Sequence, residues 1–242
     1  MNQYLLNTKQ PGEALELLTS LEDNTTSLIF LDPQYEKVGD VSRVKDYPLH
    51  YQSDYQIVQL LKEIARVLKP SSFCLLWISK EILRTDRVQL WLLQATSLKI
   101  VDCLVWKKNN FGFGSYFRNK SEFAFLLQKH PLNSKLFKNR SFGNVWEENS
   151  LSINQRNHPH QKPRELIKSL IEATTQEGDL IADPCAGSFI VLEVCQETNR
   201  NFLGVDLTYN EVKEFIGERE RERERRIYLL HYKLNQLLKT SC

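Results

Sequence analysis

Apolar residues fall along the chain in short unbroken runs, separated by stretches in which they recur with a helical period. Ser27 to Leu31, Phe73 to Ile78, Ile100 to Trp106, Glu122 to Gln128, Asp179 to Ala182 and Asn201 to Val205 have the length and bounding residues of strands, and Gln3 to Leu6 is a further candidate. The helical period predicts helices over Pro11 to Leu21, Asp54 to Leu68, Arg84 to Thr96, Pro163 to Thr175, Ser188 to Thr198, and from Thr208 to near Lys239. In the second of these, Ile57, Leu60, Leu61, Ile64 and Leu68 share one face, and Pro70 prevents its continuation. Pro11 and Pro163 stand in first turns, where the missing N–H costs nothing. Alternation of this kind predicts an α/β fold with a mainly parallel sheet, and the runs at Ile100 to Trp106 and Glu122 to Gln128 predict an antiparallel pair at its edge.

Two stretches break the pattern. Between His130 and Pro163 the periodicity fades over a length unusual for a structureless connection, which points to function. Glu218 to Arg226 alternates Glu and Arg, places opposite charges three apart and nearly neutralises itself, as a solvated helix face does.

Composition narrows the class. The 242 residues, 41% hydrophobic and 26% charged, suit a single globular domain spanning residues 1–242. No run reaches the ~18 apolar residues of a membrane span, and Met1 to Leu6 lacks the basic start of a secretory signal. The five cysteines, Cys74, Cys103, Cys185, Cys195 and Cys242, include no Cys-x-x-Cys pair, and no Cys/His/carboxylate cluster suggests a metal. A reducing, cytoplasmic compartment is expected. The net charge of +2 is unevenly spread: Lys107, Lys108, Arg118, Lys120, Lys129, Lys135, Lys138 and Arg140 face a single acid, Glu122, with Phe111, Phe113, Tyr116 and Phe117 interleaved. Such a segment suits a phosphate backbone and unstacked bases.

Two sites carry candidate chemistry. Asp32-Pro33-Gln34-Tyr35 follows a buried-strand pattern with a carboxylate, a rigid Pro, an amide and a ring, which can hold a planar base and accept from its amino group. Far downstream, Asp183-Pro184-Cys185-Ala186-Gly187-Ser188 joins a strand to a helix, and Asp206 ends the next strand, where a carboxylate can bind ribose hydroxyls. Neither Gly-x-Gly-x-x-Gly nor a phosphate-binding Gly-x-x-x-x-Gly-Lys-Ser/Thr loop occurs, so an adenosine cofactor without pyrophosphate, S-adenosylmethionine, fits better.

With these motifs the chain resembles the amino-group DNA methyltransferases, which methylate N6 of adenine or N4 of cytosine. Asp32-Pro33-Gln34-Tyr35 resembles the family's Asp-Pro-Pro-Tyr motif, and the Asp183 loop its Asp-Pro-Phe-x-Gly-Ser-Gly loop. His158-Pro159-His160-Gln161-Lys162-Pro163 resembles its His-Pro-Thr-Gln-Lys-Pro segment, and Val105-Trp106-Lys107-Lys108-Asn109 with Arg118 and Glu122 its Trp-x-Lys-Asn strand and edge hairpin. Catalytic motif before cofactor motif is the permuted order of the family's β group.

The resemblance implies a three-layer Rossmann-like fold with about seven strands. It implies catalytic residues Asp32, Pro33, Gln34 and Tyr35, with Tyr35 stacking on a base flipped from the duplex. The expected cofactor residues are Asp183, Pro184, Cys185, Ala186, Gly187, Ser188, Phe189, Asp206, Lys162 and His158. DNA contacts are expected from Lys107, Lys108, Asn109, Arg118, Lys120 and Arg140, within recognition loops at about 36–53 and 107–157. Cys185, although it follows a Pro, is expected to fill space rather than attack. Trp106 is expected in the core. Adenine is favoured over cytosine. Gln34 and Phe189 depart from the family motifs, at the second Pro and the second Gly, and the alternative they suggest is a weakened, DNA-binding methyltransferase fold. A homodimer or second subunit is expected to widen the short recognition segments.

Overall fold

The computed structural model describes residues 4–35, 50–95, 97–109, 112, 116–149 and 161–210. Seven strands form one sheet: β1 (Thr26–Leu31), β2 (Leu68–Ile78), β3 (Leu98–Lys107), β4 (Ser121–Lys129), β5 (Val145–Glu147), β6 (Leu180–Asp183) and β7 (Asn201–Gly204). Their spatial order is β5-β3-β4-β2-β1-β6-β7. All neighbouring pairs are parallel except those made by β4, which runs against both β2 and β3.

The helices are α1 (Ala14–Thr19), α2 (Asp54–Val67), α3 (Lys80–Leu83), α4 (Arg87–Gln94), α5 (Arg164–Thr174) and α6 (Ile190–Glu197). They cover both faces of the sheet, and β1 shows why. Its side chains alternate and every one is buried. Ile29 and Leu31 join the core under α1, α2 and α4, whereas Leu28 and Phe30 join the core under α5 and α6. On α2, Ile57, Val58, Leu60, Leu61, Ile64 and Val67 are buried, at roughly 1.5–3 kcal/mol each. Ser53 and Gln56 close a capping box at its start: the Ser53 hydroxyl accepts from the Gln56 N–H and the Ser53 N–H donates to Gln56 Oε1.

Sequence and structure part in two places. Tyr4 to Leu6 form a turn, not a strand: Leu5 and Leu6 are exposed, and Asn7 caps the outer edge of β7 by exchanging hydrogen bonds with Phe202. The antiparallel pair is not outermost, because β5 adds to β3 in parallel. Three residues, only one half-buried, are too few to give a strand pattern. The helix expected from Thr208 lies outside the described residues beyond Asn210.

The topology fixes where a ligand can bind. From β1 the chain crosses to β2 on one side, and from β6 to β7 on the other. The carboxyl ends of β1 and β6 therefore flank a switch point, the crevice where open α/β sheets hold ligands. No helix among the described residues is long and apolar enough to cross a membrane.

Candidate active site

Asp32 leaves the end of β1 directly above this crevice, half-buried. Its carboxylate pairs with Lys162, Oδ2 to Nζ 2.8 Å. Lys162, at the approach to α5, is nearly buried, with 14% of its side chain exposed. Its ammonium also meets Glu122 Oε2 on β4 at 3.0 Å and lies 4.3 Å over the Trp77 ring. The other oxygen of Glu122 accepts from Lys108, whose ammonium lies 4.3 Å over Trp106. Trp77 and Trp106 meet edge to face. Asp32, Lys162, Glu122 and Lys108 thus form a chain of alternating charge resting on two buried indoles. Burial pushes the Glu122 carboxyl up, but the two ammoniums more than reverse this and hold it at about 2. Burial pushes the Lys162 ammonium down, and Asp32 and Glu122 together bring it above its ordinary value.

Tyr35 is buried, not presented to the crevice. Its hydroxyl donates to the Trp77 carbonyl at 2.5 Å and its ring stacks on Trp91, centroids 5.7 Å apart and planes 6° apart. Trp91 is fixed in turn, since its indole N–H and the Arg87 guanidinium both donate to Asp54 Oδ1. The expected stacking of Tyr35 on a base is therefore corrected in this structure: a phenol with an apolar slot and a carbonyl beneath it is held in the core. Pro33 is buried beside it. The Gln34 carbonyl accepts the Gln52 N–H at 2.7 Å, clasping the two ends of the segment that lies between them.

The downstream loop closes on itself. Asp183 ends β6, one strand from Asp32, and its Oδ1 accepts from the Cys185 N–H at 3.3 Å. Ala186 N–H donates to the Val205 carbonyl, and Gly187 N–H to Asp206 Oδ2 at 2.9 Å. Asp206 Oδ1 accepts from both the N–H and the hydroxyl of Thr208. Gly187 takes φ of +49°, as glycine allows. Ser188 is half-buried and its hydroxyl accepts from Ile190 N–H. Phe189, in the position of the family's second glycine, also takes a left-handed φ of +58°. Its ring neither lines nor blocks the crevice; it is buried between Phe202 and Tyr209.

Asp183, Asp32 and Asp206 act on one another here. Burial pushes the Asp183 carboxyl well above the usual range, and the two other acids push the same way. Burial and the same three acids push the Cys185 thiol up, which leaves it a poor nucleophile and agrees with its reading as a filler. The Gln52 side chain hydrogen-bonds Cys185, and its Oε1 is buried without a hydrogen-bond partner among the described residues. Three acid groups and an unsatisfied acceptor suit a ligand bearing cationic groups and hydroxyl donors, as S-adenosylmethionine does with its ammonium, sulfonium and ribose. Among the described residues no group of His, Cys, Asp and Glu is arranged to hold a metal.

The expected DNA residues divide. Lys107 and Asn109 are exposed at the crevice end of β3, with Lys107 paired to Glu147 at 2.6 Å. Arg118 donates to the Gly112 carbonyl, and Lys120 accepts through its carbonyl from Lys108 N–H. Tyr116 and Phe117 beside them are 95% and 90% exposed. Lys108 is corrected: its ammonium turns inward to Glu122 and Trp106. Arg140 is exposed. Lys138, two residues before it, donates to the Ala173 and Thr175 carbonyls at the finish of α5, about 16 Å of helix from Lys162. Trp106 is buried, as expected. His158, the segments 36–49 and 150–160, and Phe111 and Phe113 lie outside the described residues. Sequence reasoning passed over Glu122, Trp77, Trp91 and Gln52 as site members; the isolation of Glu122 among eight basic residues was the available signal for the first.

Known proteins share this family and fold. A DNA methylase family model for N6 and N4 amino-methyltransferases matches residues 26–217. A type II methyltransferase of Haemophilus parahaemolyticus, M.HhaII, is 37% identical over 216 residues, covering 85% of this chain and 93% of that protein. The type II methyltransferase M2.DpnII of Streptococcus pneumoniae is 26% identical, covering 81% and 82%. Among solved structures, the M1.HpyAVI–SAM complex superposes with a TM-score of 0.62 at 18% identity, over 86% of this chain and 97% of that one. The cytosine-N4-specific PvuII DNA methyltransferase gives 0.63 at 15% identity, over 83% and 81%. The fold is that of a methyltransferase. The chain belongs to the N6/N4 DNA methylase family, in its β-group arrangement; it is a DNA methyltransferase, and its cofactor is S-adenosylmethionine.

Proposed function

We propose that the chain methylates N6 of an adenine swung out of duplex DNA, at a specific sequence, as the modifying member of a type II restriction–modification pair. The observation that carries this reading is the placement of Asp32 and Asp183 at the ends of the adjacent parallel strands β1 and β6, at the switch point of the sheet. Bound S-adenosylmethionine supplies an electrophilic methyl group. Asp32 accepts one N–H of the target amine and a backbone carbonyl near Pro33 the other, which favours the tetrahedral nitrogen of the transition state over the planar ground state. Asp183, Asp206 and the Asp183 loop seat the cofactor so that amine and methyl lie in line, and orientation then supplies much of the rate. No covalent enzyme intermediate is required.

Adenine is preferred because Tyr35 completes an Asp-Pro-Gln-Tyr motif of the form typical of the family's adenine enzymes. In this reading Tyr35, stacked on Trp91, stiffens the turn that carries Asp32. Lys107, Asn109, Arg118 and Lys120, with Tyr116 and Phe117, face the duplex. A second copy of the chain widens that face, and light scattering with and without DNA tests it: a monomer in both conditions removes it. The compartment is the cytoplasm.

The central test is transfer of a labelled methyl group to varied duplex DNA, followed by mass spectrometry of the nucleosides. N6-methyladenine is expected; N4-methylcytosine overturns the base assignment. Asp32→Ala is expected to lower transfer by at least about a hundredfold while cofactor binding persists. Turnover near wild type in that variant removes Asp32 from the chemistry.

A further inference from the structure

Lys162 was expected to serve the cofactor, yet its ammonium touches Asp32 and Glu122. The interest of this lies in where charge appears during transfer. The nitrogen lone pair bonds to the methyl carbon, the carbon–sulfur electron pair stays on sulfur, which becomes neutral, and the nitrogen turns cationic until its extra proton passes to water. A carboxylate beside that nitrogen helps only while ionised, and a bare ammonium beside it opposes the developing charge.

We infer that Lys162 and Glu122 are positioning residues for methyl transfer: Lys162 holds the Asp32 carboxylate in its orientation, and Glu122 cancels the charge of Lys162 next to the reacting nitrogen. This rests on the function proposed above.

Three observations carry it. Among the described residues, Lys162 is the cation in contact with Asp32, at 2.8 Å, and it is fixed from below by the Trp77 ring. Asp183, one strand away, is a further acid on the same crevice, and Asp32 and Asp206 both push its carboxyl up, so a cation fixed on Asp32 stands where acids crowd together. Glu122, held by two ammoniums, is itself firmly ionised. Among the described residues, the acid–base groups around Asp32 are Lys162 before α5, Glu122 on β4 with Lys108 behind it, Asp183 at the end of β6, Asp206 after β7, and Cys185 and Tyr35. With Asp32, Glu122, Lys162 and Lys108 all ionised, the four-residue chain is neutral, and removing either acid or either base leaves a surplus.

The experiment measures the single-turnover rate of methyl transfer for the wild type, Lys162→Met, Lys162→Arg and Glu122→Gln, with cofactor and DNA affinities measured separately by calorimetry. Lys162→Met is expected to lower the transfer rate at least about tenfold, with cofactor and DNA affinities within about threefold of wild type. Lys162→Arg keeps the charge and recovers most of the rate. Glu122→Gln also lowers the rate, since the charge of Lys162 then stands uncompensated beside the reacting nitrogen. A rate lost in Met and recovered in Arg, with both affinities intact, cannot come from loosened packing. A rate unchanged in Lys162→Met, or a defect confined to cofactor affinity, overturns the inference and returns Lys162 to the cofactor. If Lys162→Met does not fold, Arg and Gln decide: the Arg variant inactive with the Gln variant at wild-type rate also overturns it. A wild-type chain that methylates no DNA overturns the proposed function together with this inference; an active wild type with indifferent variants overturns the inference alone.

Discussion

Phe189 sets two effects of known size against each other. A left-handed backbone costs a residue with a Cβ roughly 1–2 kcal/mol, and a glycine there would avoid the cost. Its ring, 1% exposed and packed on Phe202 and Tyr209, is worth more, because truncating a buried Phe to Ala costs about 3–5 kcal/mol. Packing wins, and the strain is retained. The expected order of stability by chemical denaturation is therefore wild type, then Phe189→Gly, then Phe189→Ala, with the two variants about 1–2 kcal/mol apart. Ala as stable as Gly would mean that the backbone there relaxes. The sequence could flag the missing glycine but not its consequence, since φ and the direction of the ring are properties of the closed loop. Tyr35 carries the same lesson: its type and place were legible, its burial on Trp91 was not, because that contact joins residues far apart in the chain.

At the scale of elements, most of the sheet was legible because buried parallel strands must be apolar throughout, and the helices because one stripe must face them. What escaped were pieces too short to have a period, β5 above all, and the turn at Tyr4 to Leu6, where two leucines mimic a strand start. The start of α2 has a function-related load. Its capping box at Ser53 lies next to Gln52, whose N–H clasps Gln34 and whose side chain hydrogen-bonds Cys185 in the Asp183 loop. Ser53→Ala removes the acceptor for Gln56 N–H and should cost about 1 kcal/mol, a fall in melting temperature of about 2–4 °C. If the cap also sets Gln52, the same variant binds S-adenosylmethionine more weakly, while a cap at the far end of the molecule, Asn133→Ala before the short 3-10 turn Ser134–Leu136, should leave that affinity alone. Equal loss of affinity in both variants would separate the cap from the site.

Over the whole molecule, a net charge of +2 gives little hint of how the fold sorts its cations. Along the sequence, Lys107 to Arg140 reads as one basic segment; in space the antiparallel strand β4 carries the chain from the crevice end of the sheet to the opposite end and divides it. Lys107 and Arg118 stay at the crevice, Lys108 is consumed by Glu122, and Arg140 lies with Lys138 toward the far end of α5. The ion pair of Lys107 with Glu147 is exposed on both sides, 47% and 61%, so water screens it and phosphate can compete for the ammonium. Each cation that neutralises a phosphate contributes close to one unit to the slope of log affinity against log salt. Lys107→Ala should therefore reduce the magnitude of that slope by about one and weaken DNA binding with little regard to sequence, whereas Arg140→Ala should leave the slope at its wild-type value. Titrating a labelled duplex across a salt series measures both. An equal reduction in the two variants would mean that DNA wraps to the far end of the molecule, and the crevice face alone would no longer account for binding.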